Sequence, residues 1–145
     1  MTTLLNAVRV EIVEIHYISG TWFNGTIDPK SLGVQIFARM DPSMTFISPE
    51  GVSLSIPELR EGFKQAFGTN TDFRIQIHDV EIQQILDQHV VVTYTEWQRG
   101  AANSPQSKSA RMSSAVLTRE QPFKWLHLQE TWLPEDTRVA GSFDF

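Results

Sequence analysis

At 145 residues and 41% hydrophobic composition, the chain is long enough to bury a core without metals or bridges, and its ordinary 20% charged content excludes bulk disorder. A net charge of −5, with twelve basic residues scattered along the chain, excludes a non-specific nucleic-acid binder, which needs a basic face to meet phosphates. The absence of cysteine removes disulfides, thiolate metal sites and cysteine nucleophiles together, and fits a reducing cytoplasm.

The first segment repeats Leu4/Leu5, Val8, Ile12, Ile15, Ser19 and Trp22 at helical spacing, with Arg9, Glu11 and Glu14 mostly on the other side. This predicts an amphipathic helix, capped by Thr2 or Thr3 and broken near Gly20 or Gly25; its β-branched content leaves a strand as the alternative. Arg9, Glu11, Glu14 and His16 also interrupt the apolar run that a signal peptide or a span of about 20 uncharged residues would need. The expectation is a soluble, cytoplasmic protein with no membrane partner.

Asp28-Pro29 reads as the start of a short second helix reaching about Met40, before Asp41-Pro42. Met44 to Ser48 then reads as a short strand turned by Pro49-Glu50-Gly51. Ser55-Ile56-Pro57-Glu58 repeats the start signal, and a third helix runs to about Phe67 with Leu59, Phe63 and Phe67 on one stripe. From Phe73 the period changes to two. Phe73 to Ile77, Val80 to Leu86, His89 to Arg99, Ser107 to Glu120 and Phe123 to Pro134 read as strands, with Gly100 to Ser107 as a hairpin loop.

Three helices followed by an antiparallel meander predict an α+β fold in which a strongly curved sheet wraps the helices as a cone-shaped barrel with an open mouth. One domain is expected over residues 1–145, its core from Leu4 to Pro134 and its tail from Glu135 to Phe145 either loose or packed at an edge.

Phe46-Ile47-Ser48-Pro49-Glu50-Gly51, Arg111-Met112-Ser113-Ser114-Ala115-Val116 and Trp125-Leu126-His127-Leu128-Gln129-Glu130-Thr131 resemble the nuclear transport factor 2-like superfamily. That superfamily includes the SnoaL-like and ketosteroid isomerase-like proteins and the association domain of calcium/calmodulin-dependent kinase II. The resemblance implies the cone-shaped α+β barrel, a homodimer through the outer face of the sheet, and a pocket between sheet and helices. The pocket serves isomerases, dehydratases, polyketide cyclases and plain binding or assembly modules, so fold does not decide function. The steroid isomerase's tyrosine and paired aspartates find no match: Tyr17 has no aspartate neighbour, and Asp72, Asp79 and Asp87 lie near strand ends.

Two residues are candidates for acid–base chemistry. Glu96 lies inside the apolar strand Val90 to Trp97, where a charge must be paired or sit in a wet cavity. Facing the hollow it is a base with a raised pKa; the alternatives are an ion pair with Arg111 or a solvent-facing position. Val90, Val92, Tyr94 and Glu96 share one side of the pleat and Val91, Thr93, Thr95 and Trp97 the other, and both sides are mixed. His127 shares its face with Gln129 and Thr131, with Trp125 leading it, and reads either as a proton donor or acceptor or as a structural hydrogen-bonder.

Arg111 opens a strand of small residues, and a guanidinium fork in that space suits a carboxylate or other anion; the plainer reading pairs it with Glu96 or Glu130. The set expected to line the pocket is Tyr17, Trp22, Tyr94, Trp97, Arg111, Ser113, Trp125 and Gln129, with Tyr17 equally readable as packing with a polar tip. The four histidines show no metal-ligand spacing, and neither a phosphate loop nor a nucleophile elbow is present. The function expected is binding of a small, partly apolar ketone or carboxylate, with cofactor-independent isomerisation, dehydration or cyclisation as the matching chemistry. A non-catalytic assembly module is the alternative.

Overall fold

The computed structural model describes residues 2–102 and 106–145. Helix α1, Thr2–Asn24, runs straight through Gly20 and buries Val8, Ile12, Ile15, Ile18 and Trp22 on one stripe. That burial decides helix over strand, because each such side chain contributes about 1.5–3 kcal/mol. The chain leaves α1 at Gly25, whose φ of +77° suits glycine and whose backbone touches that of Gly68.

Asp28 starts a turn instead of a helix: its Oδ1 accepts the Lys30 amide at 2.9 Å. The expected second helix shrinks to a π turn, Leu32–Ile36, and a single 3-10 turn, Phe37–Arg39. Strand β1, Met40–Ile47, then starts earlier than the sequence suggests and takes Asp41-Pro42 into its first half. A short β2, Ser53–Ser55, leads to α2, Ile56–Ala66, which opens with the expected capping box. There the Ser55 amide and hydroxyl both donate to Glu58 Oε1, at 3.1 and 2.7 Å.

Four long strands follow: β3 Arg74–Ile85, β4 His89–Arg99, β5 Lys108–Thr118 and β6 Trp125–Trp132. The two edges read around Asp79 are one bent strand, with Asp79 at φ 57° and the pairing to β4 shifting between His78 and Glu81. The centre of the loop before β5 lies outside the described residues. The sheet order is β2-β1-β6-β5-β4-β3, antiparallel except for β1 on β6, which run parallel. The curled sheet packs on the helices but stays open, with β2 and β3 at its edges.

One core cluster joins Val8, Ile12 and Ile15 of α1 to Val90, Val92, Tyr94, Ala115, Leu117 and Trp125 of the sheet. A second joins Ile18 and Trp22 to Leu32, Ile36 and Phe37, with Phe63 and Phe67 against it. The tail packs on the outer face: after α3, Glu135–Ala140, the Phe143 ring lies 5.5 Å from that of Trp97. No helix among the described residues is long and apolar enough to cross a membrane.

Candidate functional site

Between the two core clusters the sheet and helices enclose a cavity of about 400 Å³. Its walls are apolar: Ile15 and Phe23 from α1, Met44 and Phe46 from β1, Phe63 from α2 and Leu128 from β6. One end is polar, formed by His16, Glu96, Gln98, Arg111 and Glu130. The period of two explains how they meet. Glu96 and Gln98 share the inward side of β4, Arg111 pairs with Glu96 across the β4–β5 ladder, and Glu130 follows Leu128 on β6.

The charges pair in an order the sequence does not announce. His16 Nε2 stands 3.1 Å from Glu96 Oε1, and Arg111 Nη1 donates to Glu130 Oε1 at 2.9 Å. His16 Nδ1 lies 2.7 Å from the Ile12 carbonyl oxygen, which can only accept, so Nδ1 carries a hydrogen. Nε2 faces a carboxylate and carries the other, making the ring an imidazolium. Gln98 Nε2 donates to Glu96 Oε2, and the Tyr94 hydroxyl lies 3.3 Å from His16 Nε2.

The two carboxyls titrate apart. Burial pushes Glu96 up, but His16, Arg111 and the Gln98 amide outweigh it and hold Glu96 at about 2. Burial and then the charge of Glu96 push Glu130 up to about 7, against the pull of Arg111. Burial works against the His16 charge, yet Glu96 brings the net shift upward. Burial, with Glu96 and Glu130 nearby, lifts the Tyr94 phenol well above its ordinary range, so it stays a neutral hydroxyl. A fixed anion beside an acid that exchanges its proton near neutrality is an arrangement suited to proton transfer.

Of the residues singled out from sequence, Glu96, Arg111 and Trp125 line this cavity. Tyr94 and Ser113 sit fully buried behind it as cross-strand partners. His127 and Gln129 lie on the opposite face of β6 from Leu128 and Glu130, so neither reaches the hollow. Trp125 does not lead their face, because the β5–β6 pairing slips by one residue at Leu126: Leu117 faces Trp125 while Val116 faces His127. Trp97 is on the outer face under the tail, Trp22 donates to the Phe63 carbonyl in the second core cluster, and Tyr17 is 69% exposed. His16 and Glu130 are the residues that sequence reasoning did not place at the centre. The signal for His16 was its spacing one residue after Ile15 on the buried stripe.

A curled six-stranded sheet over a long first helix, with a cavity between them, defines a nuclear transport factor 2-like protein. The comparisons agree. An NTF2-like protein of unknown function from Pseudomonas aeruginosa is 30% identical, with a TM-score of 0.80 over 88% of this chain and 99% of that one. An NTF2-like superfamily protein from Salmonella enterica, 14% identical, aligns over 99% of this chain and 98% of its own with a TM-score of 0.69. The association domain of CaMKII from C. elegans, 17% identical, has a TM-score of 0.61 over 87% of this chain and 96% of that one. No curated protein matches the chain. Within this fold the chain belongs to the family described as sucrose-6-phosphate phosphohydrolase C-terminal, which matches residues 8–134.

Proposed function

We propose that the chain is a small-molecule-binding protein of the SnoaL-like type that carries out cofactor-independent proton transfer on a partly apolar ligand. The observation behind this reading is the cavity itself, mostly apolar and lined at one end by two carboxyls, an imidazole and a guanidinium. A ligand carbonyl or carboxylate meets Arg111, Glu130 exchanges the proton, and Glu96 serves as the fixed anion that keeps His16 charged. Isomerisation, dehydration and cyclisation are the reactions that need no more than this. The family's name concerns a sugar phosphate. Phe23, Met44, Phe46, Phe63 and Leu128 make most of the lining apolar, with Ser19, Thr69 and Asn70 as polar exceptions, which favours a partly apolar ligand here.

Thermal unfolding against a library of cyclic ketones and small carboxylates tests the reading. A ligand at a hundred times its Kd stabilises the folded state by about 2.7 kcal/mol, so hits appear as rises in Tm. They are expected to vanish in Arg111→Ala. An absence of hits with the wild type would remove the binding reading.

The second reading, an assembly module acting through a homodimer face, is favoured by Met112, which is 41% exposed on the outer side of β5. On that reading Met112→Lys turns a dimer into a monomer by light scattering and changes the unfolding free energy of the monomer fold by no more than about 0.5 kcal/mol. A wild-type protein that is already monomeric at micromolar concentration would rule it out.

A further inference from the structure

The charges at the polar end sum to zero while Glu130 is ionised: His16 with Glu96, and Arg111 with Glu130. Arg111 spends Nη1 on Glu130 and lies with Cζ 4.7 Å over the Trp132 ring, but its buried Nε has no hydrogen-bond partner among the described residues. Arg111 lines the polar end of the cavity, so its guanidinium has hydrogen-bonding capacity there beyond the bond to Glu130. The surroundings of Glu130 decide what a ligand oxygen there brings with it. Glu130 on β6 faces His16 from α1, Glu96 and Tyr94 from β4 and Arg111 from β5, while Glu50, in the turn before β2 and outside this cavity, adds a weaker attraction for Arg111.

A ligand carboxylate on Arg111 would be a third buried carboxylate beside one guanidinium and one imidazolium, leaving an uncompensated negative charge. A proton on one of the glutamates cancels it. Glu96 is the poorer acceptor, because His16 stands 3.1 Å away and Gln98 donates to it. Among the described residues only Arg111 hydrogen-bonds Glu130, with His16 acting at longer range, and the ligand competes for Arg111.

We propose, resting on the small-molecule reading above, that the ligand is an apolar carboxylic acid bound as its carboxylate on Arg111, and that Glu130 takes up one proton from solvent as it binds. The bound complex then holds Glu130 as an acid, positioned to donate to the ligand. The ordinary titration of Glu130 agrees, since it keeps its proton up to about 7 even before a second carboxylate arrives.

Phenylacetate and 2-naphthylacetate, each with its primary amide, are the probes. For the acids the Kd is expected to be flat between about pH 5 and 7 and to weaken about tenfold per pH unit above it. Calorimetry near pH 8 in two buffers of different ionisation enthalpy is expected to show close to one proton taken up per acid and none per amide. Glu130→Gln, neutral at every pH, is expected to bind the acids at pH 8 about as tightly as the wild type does at pH 6, with no uptake. If Glu130→Gln does not fold, infrared difference spectroscopy of the wild type at about pH 8 decides: a new protonated-carboxyl band on binding an acid is expected, and its absence overturns the proposal. Acids that bind without proton uptake, or amides that bind as well as acids at every pH, would overturn the proposal and leave the cavity reading intact. Binding of neither class at any pH would overturn the proposal, and the ketone arm of the unfolding library then decides the cavity reading.

Discussion

Replacing Glu96 by alanine is expected to cost about 3–5 kcal/mol of stability near pH 6, the penalty for removing one member of a buried pair. The loss falls on His16, left charged among apolar neighbours with only the more distant Glu130 to offset it. The cost depends on pH with a definite sign. Glu96 is held at about 2 in the fold, so its contribution is present above the ordinary carboxylate range and is lost as pH falls. Wild type and variant therefore converge in acid. His16 is raised, so its contribution is full below about 6.5 and is lost as pH rises through its folded value.

Glu130 acts in the opposite direction. The fold holds its proton up to about 7, so wild-type stability declines between the ordinary carboxylate range and that value, by roughly 3 kcal/mol. Burial is the first cause and the charge of Glu96 the second, so the decline is shallower in Glu96→Ala. Urea unfolding of both proteins at several pH values, followed by tryptophan fluorescence, checks both limbs. A wild type whose stability rises steadily from acid to neutral would contradict the assignment of Glu130.

The second large effect is expected at Trp125. Its ring is 1% exposed, meets His16 and Tyr94 edge-on at 6.2 and 6.5 Å, and donates through Nε1 to Glu11 at 2.9 Å. Trp125→Ala is expected to cost about 3–5 kcal/mol, since the wall of an existing cavity cannot collapse to fill the space. Trp125→Phe keeps most of the apolar contact and loses the indole hydrogen bond, leaving Glu11 with Arg39 at 2.9 Å, for a cost of about 1–2 kcal/mol. Denaturant midpoints of the two variants separate packing from hydrogen bonding. Equal costs would mean that the bond to Glu11, not the ring, holds β6 against α1.

Where local chemistry decides structure, the sequence was readable. The Ser55–Glu58 capping box, the apolar stripe of α1 and the alternation of β4 all appear as expected. The inward side of β4, open between two mixed faces, is settled by α1, which supplies His16 as the partner for Glu96. The candidate site is harder to read because parity along β6 fails at one point. One extra residue at Leu126 exchanges the sides, sending His127 outward and leaving Trp125 with Leu128 and Glu130. A bulge of this kind has no glycine or proline to announce it. Asp28-Pro29 misled for a related reason: a capping carboxylate satisfies a turn as readily as a helix, and Leu32 and Ile36 gain burial in either form.

The parallel contact of β1 with β6 carries a consequence for how the molecule is made. Thr45 sits beside His127, about eighty residues later, so β1 emerges during synthesis long before its neighbour exists. Until then it can rest only on α1, β2 and α2. The meander of β3 to β6 forms from short-range pairings, and the front wall of the hollow, Met44 and Phe46, arrives last. A newborn chain thus holds an open trough before it holds a chamber, and a molecule able to lie in that trough would favour its closing.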